Sequence, residues 1–427
     1  VSAPRLLVES RHDLPIVHFQ VILLTGSLLD PVGKEGLTRI TARLLRRGTK
    51  ERDTRAIEER IDSLGAELGI ETSPSYIRVS GSVIKRSLSP MLALVGELLN
   101  RPSLAETELA LLKRETHAAL IELTDSDSAL ASMFFRRALF RGHPYGRPSI
   151  GTHQTLDALT LDDVQSTYRE RIAGAERMVG FAGDVTRAEA ETLVAEHLTQ
   201  ATASGVQRPI APEPEQRAGR HLLIVDKPER TQTQIQIGRL GTHPHDPDHT
   251  ALSVGNAIFG GTFTSRLMRA VRSERGWSYG ASSRLGIDRV RESFSMWTFP
   301  AADDAAPCIA LELELFERWI EEGITDEELS FVKSYLVKSH AFSIDTPDKR
   351  LEQALELPLI NLPPDYFSGY LKRVAAVTRD EVNAAIKRRM SASDLTLCVV
   401  GTEAVLGARL RELPGLASVE TVAFDSL

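Results

Sequence analysis

Cysteine is almost missing from this chain: of 427 residues only Cys308 and Cys398 carry thiols. They stand far apart with no second metal-type neighbour, which excludes a disulfide framework and a zinc knuckle alike. No apolar run reaches the roughly 18 residues that a membrane-crossing helix needs. Neither sign of charge dominates, since 51 basic and 58 acidic residues leave a net charge of −7. That balance, and the lack of any Lys/Arg cluster interleaved with aromatics, gives no argument for a nucleic-acid partner. What remains is an ordinary globular composition, 42% hydrophobic and 26% charged. The length is too great for one core and suits two domains of about 200 residues each. The chain starts at Val1, a few residues before the first strand pattern, as expected where a leader has been removed.

An internal repeat fixes the organisation. TLDDVQSTYRERIAGAERMVGFAGDV, from Thr160, aligns without a gap on TRDEVNAAIKRRMSASDLTLCVVGTE, from Thr378. Each copy predicts a Thr-capped helix with an acidic first turn, then an apolar strand ending at Gly183 or Gly401. ETELALLKRE (106–115) answers DEELSFVKSY (326–335), and LLVESRHDLPIVHFQVILLTG answers LLIVDKPERTQTQIQIGRLG. Between the copies, ATASGVQRPIAPEPEQRAG (201–219) is rich in Pro, Ala and charge and reads as a connection rather than a packed element. The expected domains are therefore 1–203 and 219–427, joined by a linker at 204–218. Each half runs strand pair, long helix, strand pair, several helices and a final strand. That order argues for an α+β two-layer domain with a mixed, mostly antiparallel sheet covered by helices, and against a doubly wound parallel sheet.

Residues 36–49, GLTRITARLLRRGT, place Arg39, Ala42 and Arg43 between a Gly-Leu and a Gly-Thr. The frame resembles the insulinase, pitrilysin and mitochondrial processing peptidase family, whose inverted motif His-x-x-Glu-His occupies those three positions. RLLVESRHDLPIVHFQVILLTGSLLDPVGKEGL (5–37) is similar to the family's first hairpin and its approach to the motif helix, and RGHPYGRPSIGT (141–152) to another recurring block. In active members the two imidazoles bind zinc and the Glu takes a proton from the metal-bound water. Arginine stays charged, has no acceptor lone pair and repels a cation; Ala42 cannot act as a base. The third ligand of active members is a Glu seven residues after another Glu, and RETHAALIE puts Glu115 and Glu122 at that spacing, with Glu122 at the ligand position. One carboxylate does not hold zinc, so Glu122 is expected to be a structural or surface acid, with Glu115 or Glu122 pairing to Arg39 or Arg43.

The second copy carries FGGTFTSRLMRAVRSERGWSYGASSRL (259–285), in which Arg272 and Tyr279 are seven apart. The segment resembles the family's substrate-gripping element, presented from the domain opposite the zinc. The resemblance implies that Tyr279 stabilises the oxyanion of a scissile carbonyl and that Arg272 forks onto a neighbouring carbonyl to set the peptide's register. Taken without its flanks, Tyr279 reads as a packed aromatic and Arg272 as one more solvated arginine.

His243, His245 and His249 in GTHPHDPDHT, with Asp246 and Asp248, resemble a metal cluster by composition. The prolines and turn formers make the segment a loop, aligned by the repeat with the LLDPVGKEG turn, and solvated histidines are the expectation. FGGTFT (259–264) lacks the Lys-Ser/Thr of a phosphate loop.

The resemblance implies two such domains per subunit forming half of a clamshell chamber. It implies a chain without zinc of its own, supplying Arg272 and Tyr279 to a homologous zinc-binding subunit in a heterodimer or a dimer of heterodimers that cleaves peptides or unfolded segments. The alternatives are a catalytically silent structural homologue and an enzyme with a relocated metal at the three histidines. Bacterial relatives of this type imply a periplasmic location, with the cytoplasm as the alternative.

Overall fold

The computed structural model describes residues 4–199, 208 and 210–426. Two compact units make up the chain, Val1–Leu120 with Arg147–Ala211 and Phe342–Asn361, and Ile121–Gly146 with Pro212–Ala341 and Leu362–Leu427. The repeat separates two copies along the sequence, while each packing unit takes in one segment from the other half of the chain. Of the linker, residues 204–207 and 209 lie outside the described residues. The stretch from Pro212 forms no helix or strand but is held to the second unit, where Arg291 binds the Glu213 carboxylate and the Pro214 carbonyl and Leu240 N–H donates to Gln216 Oε1.

In the first unit β1 (Arg5–Ser10), β2 (Ile16–Leu23), β3 (Glu67–Thr72), β4 (Ile77–Ile84) and β5 (Arg177–Gly183) form a sheet in the order β1-β5-β2-β4-β3. Only β1 and β5 are parallel. The expected hairpin of β1 with β2 is absent, because β5 lies between them. RMVGFAG is apolar or small at almost every position and buried on both faces, which suits a central strand. One face of the sheet, including Val17, Phe19, Val21, Val179 and Phe181, packs on the Leu88–Asn100 and Arg187–His197 helices. On the other, Ile22, Leu24, Met178 and Ala182 meet Leu351, Leu355 and Leu359, one stripe of the Pro347–Leu359 helix. A Cβ on Gly180 would stand 2.8 Å from Leu351 Cδ1, so the glycine admits that helix. Arg78 on β4 binds Glu352 at 3.1 Å.

In the second unit β6 (Arg220–Asp226), β7 (Gln234–Leu240), β8 (Ala281–Ile287), β9 (Arg291–Thr298), β10 (Thr396–Gly401) and β11 (Leu416–Ala423) take the order β11-β6-β10-β7-β9-β8. With β11 removed this is the first sheet repeated, parallel β6–β10 pair included. A core around Phe259, Phe294, Phe316 and Trp319 fills one face. The Asp127–Leu139 helix covers the other, where a Cβ on Gly238 would meet Phe135 Cζ at 2.8 Å and Arg136 binds Glu292 on β9 at 2.9 Å. Both copies thus use a strand glycine and one ion pair, with the charges exchanged between helix and strand.

The repeated Thr-capped helices form as expected. Thr160 and Thr378 each cap a helix in a reciprocal box, with Asp163 and Glu381 at the third position.

Candidate functional site

The motif positions lie on the Leu37–Leu44 helix. Gly36 starts it at φ 95°, where Ile150 O and Gly151 leave no room for a side chain. Asp30, 4% exposed, caps it from the preceding turn, accepting from Gly36 N, Thr38 N and Thr38 Oγ1 at 3.2, 2.9 and 2.6 Å. Burial pushes the Asp30 carboxyl up to about 6, against those hydrogen bonds. Leu37, Ile40 and Leu44 pack on Leu109 and Leu112 of the Glu106–Asp125 helix, and Ala42 is sealed under the sheet.

That packing leaves Arg39 and Arg43 one turn apart on the helix, with Arg47 just beyond its C-terminal end. Glu115 accepts from Arg47 Nη2 at 2.6 Å and from Arg43 Nη2 at 3.4 Å. The expected pairing with Glu115 is therefore made by Arg43, and Arg47, which the sequence reading did not single out, makes the shorter bond. Arg39 is half-buried, its Nε without a hydrogen-bond partner among the described residues. Burial lowers its pKa; burial and the neighbouring Arg39 charge lower that of Arg43, with Glu115 opposing. Glu122 is exposed and joins no ion pair among the described residues. The donor set at the motif does not fit zinc: guanidinium groups offer no lone pair, and their charge repels a cation.

Arg272 and Tyr279 occupy a different local environment. Arg272 lies in the π-helical turn Arg269–Glu274, its guanidinium carbon 4.8 Å from the ring centre of Phe263. Gly276, at φ 69°, closes the helix by donating to Arg272 O. Ser278 then braces the turn: its Oγ donates to Gly280 O at 2.7 Å and accepts from Gly280 N and Phe299 N. Gly280 lies on the Phe299 and Trp297 rings, where a Cβ would be 2.9 Å from Phe299 Cε1. With both neighbours anchored, Tyr279 stands out from the unit at 82% exposure, and Phe263 at 70%. Phe263 belongs to the 259–285 segment, in which the sequence singles out only Arg272 and Tyr279.

In the histidine cluster His245 is exposed as expected, and His249 departs from the expectation. His249 is not solvated; it opens the His249–Asn256 helix at 3% exposure, with Nδ1 3.1 Å from Thr242 Oγ1 and Nε2 3.4 Å from the Tyr366 hydroxyl. Burial pushes it down to about 4. His243 and His245 stack with ring centres 5.2 Å apart. Asp248 is held by Arg388 and Arg389, and Asp246 by Arg389. Among the described residues no group of three or more His, Cys, Asp or Glu side chains is placed to hold a metal ion.

The family model described as Insulinase (Peptidase family M16) matches residues 5–153, and that described as Peptidase M16 inactive domain matches 158–336. The chain belongs to peptidase family M16. A Helicobacter pylori relative named non-peptidase homolog YmxG is 22% identical over 93% of this chain and 91% of its own. A Mycobacterium bovis protein named an uncharacterized zinc protease is 26% identical, over 88% of this chain and 87% of its own. Among solved structures, a peptidase M16 inactive domain from Pseudomonas fluorescens superposes with a TM-score of 0.85 at 24% identity, covering 94% of this chain and 96% of that one. The periplasmic protease PqqL of Escherichia coli gives 0.74 at 14% identity, over 92% of this chain and 44% of PqqL. The chain is thus an M16 homologue with two α+β domains, and its Leu37–Leu44 helix carries Arg39, Ala42 and Arg43.

Proposed function

We propose that this chain is the non-catalytic, substrate-binding subunit of a heteromeric M16 zinc endopeptidase. A homologous subunit with an intact His-x-x-Glu-His supplies zinc and the general base; zinc there polarises the scissile carbonyl. The observation that carries the reading is the contrast between the arginine-filled motif helix and the braced turn that holds Tyr279 out to solvent. A buried tyrosine would indicate packing. An 82% exposed one, fixed on both sides by Ser278 and Gly280, is built to meet something outside the unit. Its hydroxyl donates to the oxyanion as charge develops there, and Arg272 donates to a backbone carbonyl beside it. The length of PqqL supports a paired arrangement, since that protein is more than twice as long as the part this chain matches. The proposed compartment is the periplasm, the one named for PqqL.

The test is cleavage of a quenched fluorescent peptide by a relative carrying His-x-x-Glu-His, titrated with this chain as wild type and as Tyr279→Phe. Activity that saturates with wild type and rises far less with the variant supports the reading. No rise, or an equal rise with both, makes the chain a structural homologue, the role in keeping with the name of the Helicobacter relative.

A further inference from the structure

The second unit carries a pocket of about 370 Å³ that takes no part in the site above. Its apolar floor is Phe134, Leu223 and Val422, and Arg137, Arg141 and Arg217 stand round it. The size falls within the range of small-ligand sites, which run from roughly 300 to 1,000 Å³.

Several arginines elsewhere in this unit are paired with carboxylates. Arg136 is bound by Glu292, Arg291 by Glu213 and Arg220 by Glu317. Of the three at the pocket, Arg137 and Arg217 are not. Arg137 reaches only the Ser426 carbonyl, at 3.4 Å, and neither it nor Arg217 joins an ion pair among the described residues. Arg141 has the one acid of the pocket, Glu420, at 3.8 Å. The remaining polar groups are already used: His221 Nε2 lies 2.8 Å from Ala218 O and must donate to it, so in the neutral ring Nδ1 accepts from Ser418 Oγ at 2.7 Å. Two guanidinium groups with ten N–H donors between them therefore line a pocket with an apolar floor, and among the described residues no carboxylate pairs with either.

We propose that this pocket binds a carboxylate attached to a short apolar body, the apolar part on Phe134, Leu223 and Val422 and the carboxylate on Arg137 and Arg217. Two sources share that chemistry, the C-terminus of a peptide ending in an aliphatic residue and a free short-chain carboxylic acid.

Fluorescence anisotropy of the full chain tests it, with a fluorescein-labelled hexapeptide ending in a free leucine carboxylate and the same peptide as its C-terminal amide. The acid binds and the amide binds at least about tenfold more weakly, as loss of a charge-assisted pair requires. Arg137→Gln with Arg217→Gln abolishes the preference, and Ala138→Trp, which narrows the pit and keeps both charges, weakens the acid. Displacement by hexanoate identifies a free acid as sufficient; binding that hexanoate does not displace identifies the peptide terminus. Equal binding of acid and amide, or a preference unchanged in the double variant, overturns the proposal. All three substituted side chains are at least partly exposed, so the variants retain the wild-type melting temperature. Neither Arg272 nor Tyr279 lines the pocket, and the result is independent of any cleavage assay.

Discussion

The turn before the first long helix is built twice in this chain, and the two versions bury opposite kinds of acid. In the first copy Asp30 sits beneath the Leu37–Leu44 helix and keeps its proton up to about 6. In the second, His249 sits at the start of its helix and stays neutral down to about 4. The cause is the same in both, removal of a titratable group from water, and the sign differs because a carboxyl is neutral when protonated and an imidazole when not. The two copies have also parted chemically at the surface. The first pairs its motif-helix charge internally through Glu115, whereas the second holds Phe263 and Tyr279 toward solvent, with Arg272 stacked over the Phe263 ring. Duplication preserved the scaffold and left the side chains on it free to diverge.

The comparison is broken most forcefully at the glycines that admit the crossing helices. An alanine Cβ at Gly238 would stand 2.2 Å from the Phe294 carbonyl, which is backbone, whereas at Gly180 the nearest atom, at 2.8 Å, is the end of the Leu351 side chain. Gly238→Ala is expected to cost about 3 kcal/mol or more and Gly180→Ala about 1 kcal/mol, read from urea unfolding midpoints. Equal costs would mean the two helix seats are equally tight.

The next largest effect separates the two surfaces. With a zinc-bearing partner, Tyr279→Phe should lose about 3 kcal/mol of transition-state stabilisation, roughly a hundredfold in kcat/KM, with no change in melting temperature. Glu115→Gln should leave kcat/KM alone.

The buried pair predicts opposite pH responses. Unfolded Asp30 releases its proton near 3.8 and folded Asp30 near 6. Its contribution therefore favours the fold at low pH and is lost as pH rises through that window, by up to about 3 kcal/mol. For His249 the unfolded ring protonates below 6.5 and the folded ring near 4. Its stability is intact above 6.5 and is lost as pH falls, by a similar amount. Thermal melts at pH 5 and 7 should show Asp30→Asn gaining on wild type at pH 7 and His249→Gln gaining on wild type at pH 5. A shift of the same sign for both variants would contradict the assignment.

The smallest effect is at the motif helix. Glu115→Gln leaves Arg43 and Arg47 without their carboxylate, and since Glu115 is about one-third exposed the cost is expected to be only about 1 kcal/mol, measurable as a lower melting temperature that high salt partly restores.

Local signals in the sequence were strong wherever the structure is local. The capping boxes at Thr160 and Thr378, the apolar strands ending at Gly183 and Gly401 and the run of positions 39, 42 and 43 all depend on neighbours a few residues away. The first strand pair read as a hairpin because β1 and β2 are close in sequence, but β5, buried on both faces, enters between them from more than 150 residues downstream. His249 read as solvated because its flanks are Pro, Asp and Thr; Tyr366, far along the chain, helps bury it. Phe263 gave no signal, since one aromatic in a Gly/Thr loop acquires meaning only from the Arg272 stacked over it.

By itself the sequence determined the α+β class, the repeat, the family and the presence of Arg39, Ala42 and Arg43 where a metal site would need donors, because each rests on residue identity and short-range spacing. The tertiary structure alone decided which helix covers which sheet, which acid is buried and which arginines are left without one. Those outcomes depend on burial and charge pairing between residues far apart in the chain, and no local pattern encodes the water that folding removes from between them.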